Sequence, residues 1–335
     1  LKGIDLKSNI NHIFQSFDVN SINKEYETSF ISSSIVLSID KIKKMKKIHE
    51  DSFSKIFEFH DKNTGYNYSV TVSKYDFECI HEEQKSKINK EIEKLSKLKH
   101  PAIQQFYGFI LINKQNKRKS ITITEHLGDK KLFDIFEEER KGNHLNEWTM
   151  TNKFKIIYGI ASGLLYLHSH RIYHLKLNPK NIYIDSNYEP KLSEIGIYTQ
   201  QINSVKMSKS ISSGIDKSLY YLSPEQLKSS KNISDKCDVY SFALIVYEIL
   251  TNDFPFKLND QRNIYQIISI ITNEKSSQYL NKKIPKVYQN LLERCWLPDP
   301  NERPSFCKIV DELENFQINK DEYLQYKQYL NVHSE

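Results

Sequence analysis

Residues 172–184 read IYHLKLNPKNIYI. The stretch mixes apolar Ile172, Leu177 and Ile182 with a proline and with His174, Lys176, Asn178 and Asn181. A long, largely apolar segment, NKFKIIYGIASGLLYLHSH (152–170), leads into it and reads as a buried helix. Short strands are predicted after it, at 181–184 and 190–193. Residues 197–219, rich in Ser, Lys and Gln without periodicity, read as a loop. CDVYSFALIVYEILTN (237–252) is a second buried helix, and amphipathic helices follow near 262–273, 285–295 and 305–317.

Upstream the character changes. Residues 45–75 alternate apolar and polar positions around the turn HDKNTG, a hairpin pattern with Gly65 in the turn. Apolar residues at 88, 92, 95 and 98 give helical spacing over 81–99. Two more strands are predicted at 103–110 and 119–127. A small strand-rich half with one helix thus precedes a larger helical half, an α+β architecture with a hinge near TEHLGD (124–129).

Composition sets limits. Hydrophobic content of 39% in 335 residues belongs to a folded chain. A net charge of +6 is too mild to call for a nucleic-acid partner. KIKKMKK (41–47) reads as a solvated approach to a strand. The cysteines at 79, 237, 295 and 307 form no C-x-x-C pair, so reduced thiols and an intracellular setting are expected. No apolar run reaches membrane-spanning length. The start at Leu1 suggests a fragment of a longer protein.

Eight strings then fall in a recognisable order: LKHPAIQQFYGF, ITEHLGDKKLFDIF, IASGLLYLH, IYHLKLNPKNIYI, KLSEIG, YYLSPEQL, SDKCDVYSFALIVYEILT and CWLPDPNERPSF. Their order and spacing resemble a protein kinase domain of the tyrosine-kinase-like and tyrosine-kinase branches. The resemblance implies a two-lobed fold over 42–316, with an N-lobe at 42–125 and a C-lobe at 130–316. Residues 1–41 are then a lead-in and 317–335 a tail.

On that resemblance the structural residues are present. Glu225 and Arg303 match the pair that anchors the activation segment, and Asp238 the residue that braces the catalytic loop. Leu95, Phe106, His174 and Ile195 match the interior stack of an active kinase. The chemical residues are degraded. Lys176 stands in place of the catalytic Asp, and an ammonium with a reference pKa of about 10.4 accepts no proton at neutral pH. Leu175 replaces the phosphate-clamping Arg, and Asn178 replaces a lysine that neutralises the transferring phosphate. His49, Asp51 and Ser54 stand where a glycine-rich turn would approach phosphate. The strand SVTVSK allows two registers, with either Ser73 or Lys74 at the phosphate-binding lysine's place; apolar alternation favours Ser73. Glu91 matches that lysine's helix partner. Ile56, Ser73, Lys74, Glu91, Thr124 and Tyr183 make the candidate nucleotide pocket, with Tyr183 at the adenine floor. Asn181 and Glu194, the latter in place of a metal-binding Asp, are weak metal candidates.

The resemblance therefore implies a pseudokinase: a scaffold or allosteric binding module for signalling proteins or another kinase, on the cytoplasmic side. No cofactor is required, and ATP and Mg remain open as weak ligands. Two alternatives stay open. One is an atypical active kinase, acting on Ser/Thr or Tyr, with a rearranged ATP–Mg site using Lys74, Glu91, Asn181 and Glu194. The other is a nucleotide-binding switch without catalysis.

Overall fold

Alternating β-branched and aromatic residues, as in NYSVTVS (67–73), favour a pleated surface with one side covered. Six such segments pair into one antiparallel sheet: β1 (Tyr26–Ile31), β2 (Lys46–Glu50), β3 (Ser54–His60), β4 (Asn67–Ser73), β5 (Phe106–Lys114) and β6 (Lys117–Glu125). Their order is β1-β5-β6-β4-β3-β2. This computed structural model describes residues 26–31, 46–50, 54–60, 65–73, 90–114, 117–195, 217–228, 233–253 and 284–316. Expectations for Asp51, Lys74, the loop at 197–216, the helix at 262–273 and the tail at 317–335 lie outside those residues. Contacts divide the chain into a sheet unit, Leu1–Leu98 with Gln104–His126, and a helical unit, Lys99–Ile103 with Leu127–Glu335.

In the sheet unit, Gly65 has φ +75°, in the left-handed region that a side chain would strain, before β4 begins. The cross-strand register sorts the residues into two faces. Ile56, Thr71 and Thr122 stand opposite one another, as do Glu58, Ser69 and Thr124. Phe57, Val70 and Ile123 align on the other face. Val70, Ile121 and Ile123 are buried, as is Tyr68. Helix α1 is described over 90–96, and Ile92, Leu95 and Leu98, each three residues on, are buried. The sequence predicts no strand before residue 42, and the structure sets β1 on the sheet edge against β5. Edge strands carry weak periodicity, because only one neighbour fixes them.

The helical unit holds α2 (Leu132–Arg140), α3 (Met150–Ser169), α4 (Pro224–Lys228), α5 (Lys236–Thr251), α6 (Lys286–Cys295) and α7 (Phe306–Glu314). A two-stranded ribbon, β7 (Ile182–Ile184) and β8 (Pro190–Leu192), completes it. Thr149 starts α3 by accepting a hydrogen bond from Asn152 N at 3.3 Å. Helix α5 is buried continuously from Cys237 to Ile249, as an all-round apolar helix must be. Gly163 lets α3 approach the ribbon closely: a Cβ there would meet Leu192 Cδ1 at 3.2 Å and Ala102 Cβ at 3.3 Å. Helix α2 was not predicted, although Leu132, Ile135 and Phe136 have helical spacing and are buried.

His100 fixes one turn of this unit. Its Nδ1 accepts from Ala102 N at 3.1 Å, and its Nε2 lies 3.3 Å from Ser162 Oγ on α3. Burial pushes the imidazole down to about 4. Between pH 6.5 and 4 the unfolded chain therefore binds a proton that the folded chain refuses, so stability falls as pH falls through that window. The integrated effect is about 2–4 kcal/mol. Urea titrations at stepped pH test this: His100→Asn, which keeps an acceptor near Nδ1, should flatten the acid limb. An unchanged slope would disprove it.

Candidate functional site

The loop at 172–184 hangs from α5. Asp238, fully buried near the start of α5, accepts three hydrogen bonds. They come from His174 N at 2.8 Å, Leu175 N at 2.7 Å and His168 Nε2 at 2.8 Å. Leu175 has φ +59°, a left-handed conformation that costs a branched side chain roughly 1 kcal/mol or more. The Asp238 bonds hold it there, and Gln226 Nε2 on α4 donates to Leu175 O at 3.0 Å. Two side-chain amides then meet on the next carbonyl: Asn178 Nδ2 and Asn181 Nδ2 donate to Lys176 O at 2.8 and 2.9 Å. Asn178 Oδ1 accepts from Lys180 N at 2.9 Å and caps the single turn Pro179–Asn181.

Inside this frame, position 176 presents a half-buried lysine, not a carboxylate. Ser193, which precedes Glu194, donates to Asn181 O from its N at 2.9 Å and its Oγ at 3.1 Å. Glu194 is exposed and left-handed, with φ +57°. His174 is completely buried, and neither ring nitrogen has a hydrogen-bond partner. Burial pushes its imidazole down, so it stays neutral. Among the described residues no three acidic, histidine or cysteine side chains gather as a metal site. Of the two metal candidates, Glu194 offers a carboxylate and Asn181 an amide oxygen, both donor types that magnesium accepts beside waters and phosphate oxygens.

Arg303 and Glu225 meet in a two-point pair. Arg303 Nη1 and Nη2 donate to the two Glu225 oxygens at 2.7 and 3.0 Å. Arg303 also donates to Leu297 O and Lys236 O, each at 2.9 Å, and its guanidinium lies 5.1 Å from the Tyr240 ring centroid. Burial pushes the Glu225 carboxyl up, but the Arg303 hydrogen bonds and charge outweigh it and hold the group below its ordinary value. The Cys237 thiol, pushed up to about 12 by burial, stays protonated and donates to Glu225 Oε1 at 3.3 Å.

The other candidates fall in two places. In the sheet unit, Ile56 and Thr124 lie on the face that carries Ser69 and Thr71. The backbone of Ser73 pairs with Ser54, two positions beyond Thr71. Lys74 lies outside the described residues. Glu91 sits on the exposed side of α1. Leu95 and Phe106 are buried there. In the helical unit, Tyr183 is half-buried, and Lys131 Nζ lies 5.1 Å from its ring centroid. Ile195 is half-buried in the same unit.

Three further participants escaped the sequence reading. His168 and Gln226 anchor the loop, as described above. Gln104 closes the end of β6: its Nε2 donates to Glu125 O at 2.8 Å, while Glu125 N donates to Gln105 O at 2.9 Å. Glutamines beside a strand carry no periodic signal, and only the β5–β6 register reveals these bonds.

The sequence profile of the protein tyrosine and serine/threonine kinase family matches residues 42–313. Over 304 residues the chain is 27% identical to the dual specificity protein kinase pyk3 of Dictyostelium discoideum, covering 91% of this chain and 20% of that protein. It is 32% identical over 179 residues to the receptor-interacting serine/threonine-protein kinase 4 of Mus musculus, covering 51% and 22%. With the ankyrin repeat and protein kinase domain-containing protein 1 of Mus musculus it shares 29% over 273 residues, covering 78% and 34%. The chain thus spans about a fifth to a third of the length of these relatives. A six-stranded sheet unit, a helical unit and a profile match over most of the length agree: the chain belongs to the protein tyrosine and serine/threonine kinase family, with its two-lobed α+β fold.

Proposed function

We propose that this chain is a pseudokinase of the tyrosine-kinase-like branch: a kinase fold deficient in phosphotransfer that acts as a scaffold or allosteric binding module. Its partners on this reading are signalling proteins, including another kinase, on the cytoplasmic side of the cell. The observation that carries the proposal is the loop at 172–184. Asp238, Asn178, Asn181 and Gln226 hold its backbone by hydrogen bonds, yet the side chain at the base position is Lys176. Phosphoryl transfer relies on positioned charge, and each missing element typically costs two or more orders of magnitude in rate. The pairing of Ile56 with Thr71, and of Ser54 with Ser73, supports Ser73 as the residue at the lysine's place.

A second reading, an atypical active kinase or a nucleotide switch, is favoured by one feature. Asn181 donates through Nδ2, so its Oδ1 is still of the donor type a metal ion takes, as is the Glu194 carboxylate. Relatives named as dual-specificity and serine/threonine kinases also fit it. Lys176→Asp separates the readings. With several elements missing, restoring one carboxylate should leave peptide phosphorylation at background. Recovery of turnover in that variant would show that position 176 alone was limiting.

A further inference from the structure

One row of the sheet is lined with aromatic rings. Phe59 on β3 stands opposite Tyr68 on β4, and Tyr68 stands opposite Glu125 on β6. The Phe59 and Tyr68 rings stack with centroids 6.1 Å apart, and both residues are buried. β5 adds the next ring through an irregularity. Phe106 pairs with Thr124 and Gly108 with Ile123, so Tyr107 is an extra residue in the ladder. A bulge of this kind re-aims a side chain. The Tyr107 ring meets the Tyr68 ring edge to face, with centroids 5.1 Å apart and planes at 81°, so the two form a corner. The Glu125 carboxylate is held in the same row, where its Oε2 accepts from Gln105 N at 3.2 Å. Tyr107 and Glu125 are half-buried, while Tyr66, two residues before Tyr68, is 65% exposed. Burial pushes the Tyr107 phenol up to about 12, and the charges of Glu125, Tyr68 and Tyr66 add to the rise, so all three groups lie near it. These residues all belong to the sheet unit.

Clustered tyrosines ordinarily serve packing, and Phe59 and Tyr68 do so here. Tyr66 does not, because most of its ring lies in solvent. The faces of such rings carry negative charge density and attract cations. A quaternary ammonium suits them best, because it has no N–H bonds to water to give up, whereas a lysine ammonium is strongly hydrated. A carboxylate beside the rings strengthens the attraction. Exposure points to the source of the cation. Small-molecule sites enclose most of their ligand, and a corner with one wall in solvent suits a side chain presented on another chain. We propose that Tyr66, Tyr68, Tyr107 and Glu125 form an open aromatic corner that takes the trimethylammonium head of a methylated lysine on a partner protein. The site does not depend on Lys176, Asn181 or Glu194, and it stands whether or not the chain transfers phosphate.

The probe is a short peptide bearing one trimethyllysine. It is titrated into the full chain, labelled in its tyrosine rings, and followed by NMR and calorimetry. Three controls accompany it: the unmodified lysine peptide, the peptide with the neutral carbon isostere of trimethyllysine, and free choline. The expected result is a shift of the Tyr66 and Tyr107 ring signals by the trimethyllysine peptide. It should bind at least about threefold tighter than each control, the size of a modest cation–π contribution. Tyr107→Phe keeps the ring and should keep the binding. Tyr107→Leu and Tyr66→Leu should each weaken it by at least about threefold. Tyr66 is exposed, so its variant reports even if Tyr107→Leu fails to fold. Unmoved Tyr66 and Tyr107 signals at millimolar peptide would overturn the proposal. So would equal binding of the neutral isostere, which shows apolar contact alone, or full affinity in Tyr66→Leu. Choline binding as tightly as the peptide would remove the partner protein from it.

Discussion

Arg303→Ala is expected to destabilise the chain by about 3–5 kcal/mol, the usual consequence of leaving one partner of a buried pair alone. The guanidinium is buried and makes four hydrogen bonds that no smaller side chain can replace: two to Glu225 and one each to Leu297 O and Lys236 O. Truncation strands the Glu225 carboxylate, which Arg303 keeps ionised despite its burial, and opens the space over the Tyr240 ring. Arg303→Lys should recover only part of the loss, because a point charge cannot bridge both carboxylate oxygens. Chemical denaturation of the three proteins at neutral pH measures this. A loss under about 1 kcal/mol would place the pair among solvated surface bridges.

Asp238→Ala should cost a similar amount, about 3–5 kcal/mol, by a different route. Two buried backbone N–H groups, at His174 and Leu175, lose their acceptor, and each unsatisfied donor costs about 1–3 kcal/mol. His168 loses its partner as well. The local consequence is more diagnostic than the global one. Without the carboxylate nothing on α5 holds Leu175 left-handed, so its amide and that of His174 should exchange with solvent far faster than the α5 amides. Exchange mass spectrometry on Asp238→Asn, which keeps one acceptor oxygen, should show an intermediate effect. Unchanged protection at 174–175 would mean that the loop is held by something else.

Those two centres were legible because each joins residues that the eight ordered strings single out. Glu225 comes from YYLSPEQL and Arg303 from CWLPDPNERPSF, and they meet across 78 positions of sequence. Helices α3 and α5 were legible from apolar content alone. Less was visible where tertiary context decides. Helix α2 carries four charged residues in succession in EEER, which dilutes its apolar stripe. β1 is an edge strand in a segment without alternation. The register of 69–74 allows two placements of its apolar and polar positions; alternation favours Ser73, whose backbone pairs with Ser54. Gln104 was invisible for a stronger reason. Its meaning lies in one side chain-to-backbone bond, and any polar residue of that length would read the same.

The proposed catalytic deficiency is tested most directly by incubating the full chain with γ-labelled ATP, magnesium or manganese and mixed Ser/Thr and Tyr peptides. Transfer to the peptides and to the chain itself is then counted over hours. The expected result is incorporation indistinguishable from that of a Glu194→Ala, Asn181→Ala double variant. Phosphotransfer well above that variant, from protein purified free of other kinases, would contradict the deficiency and make Lys176 part of a working site.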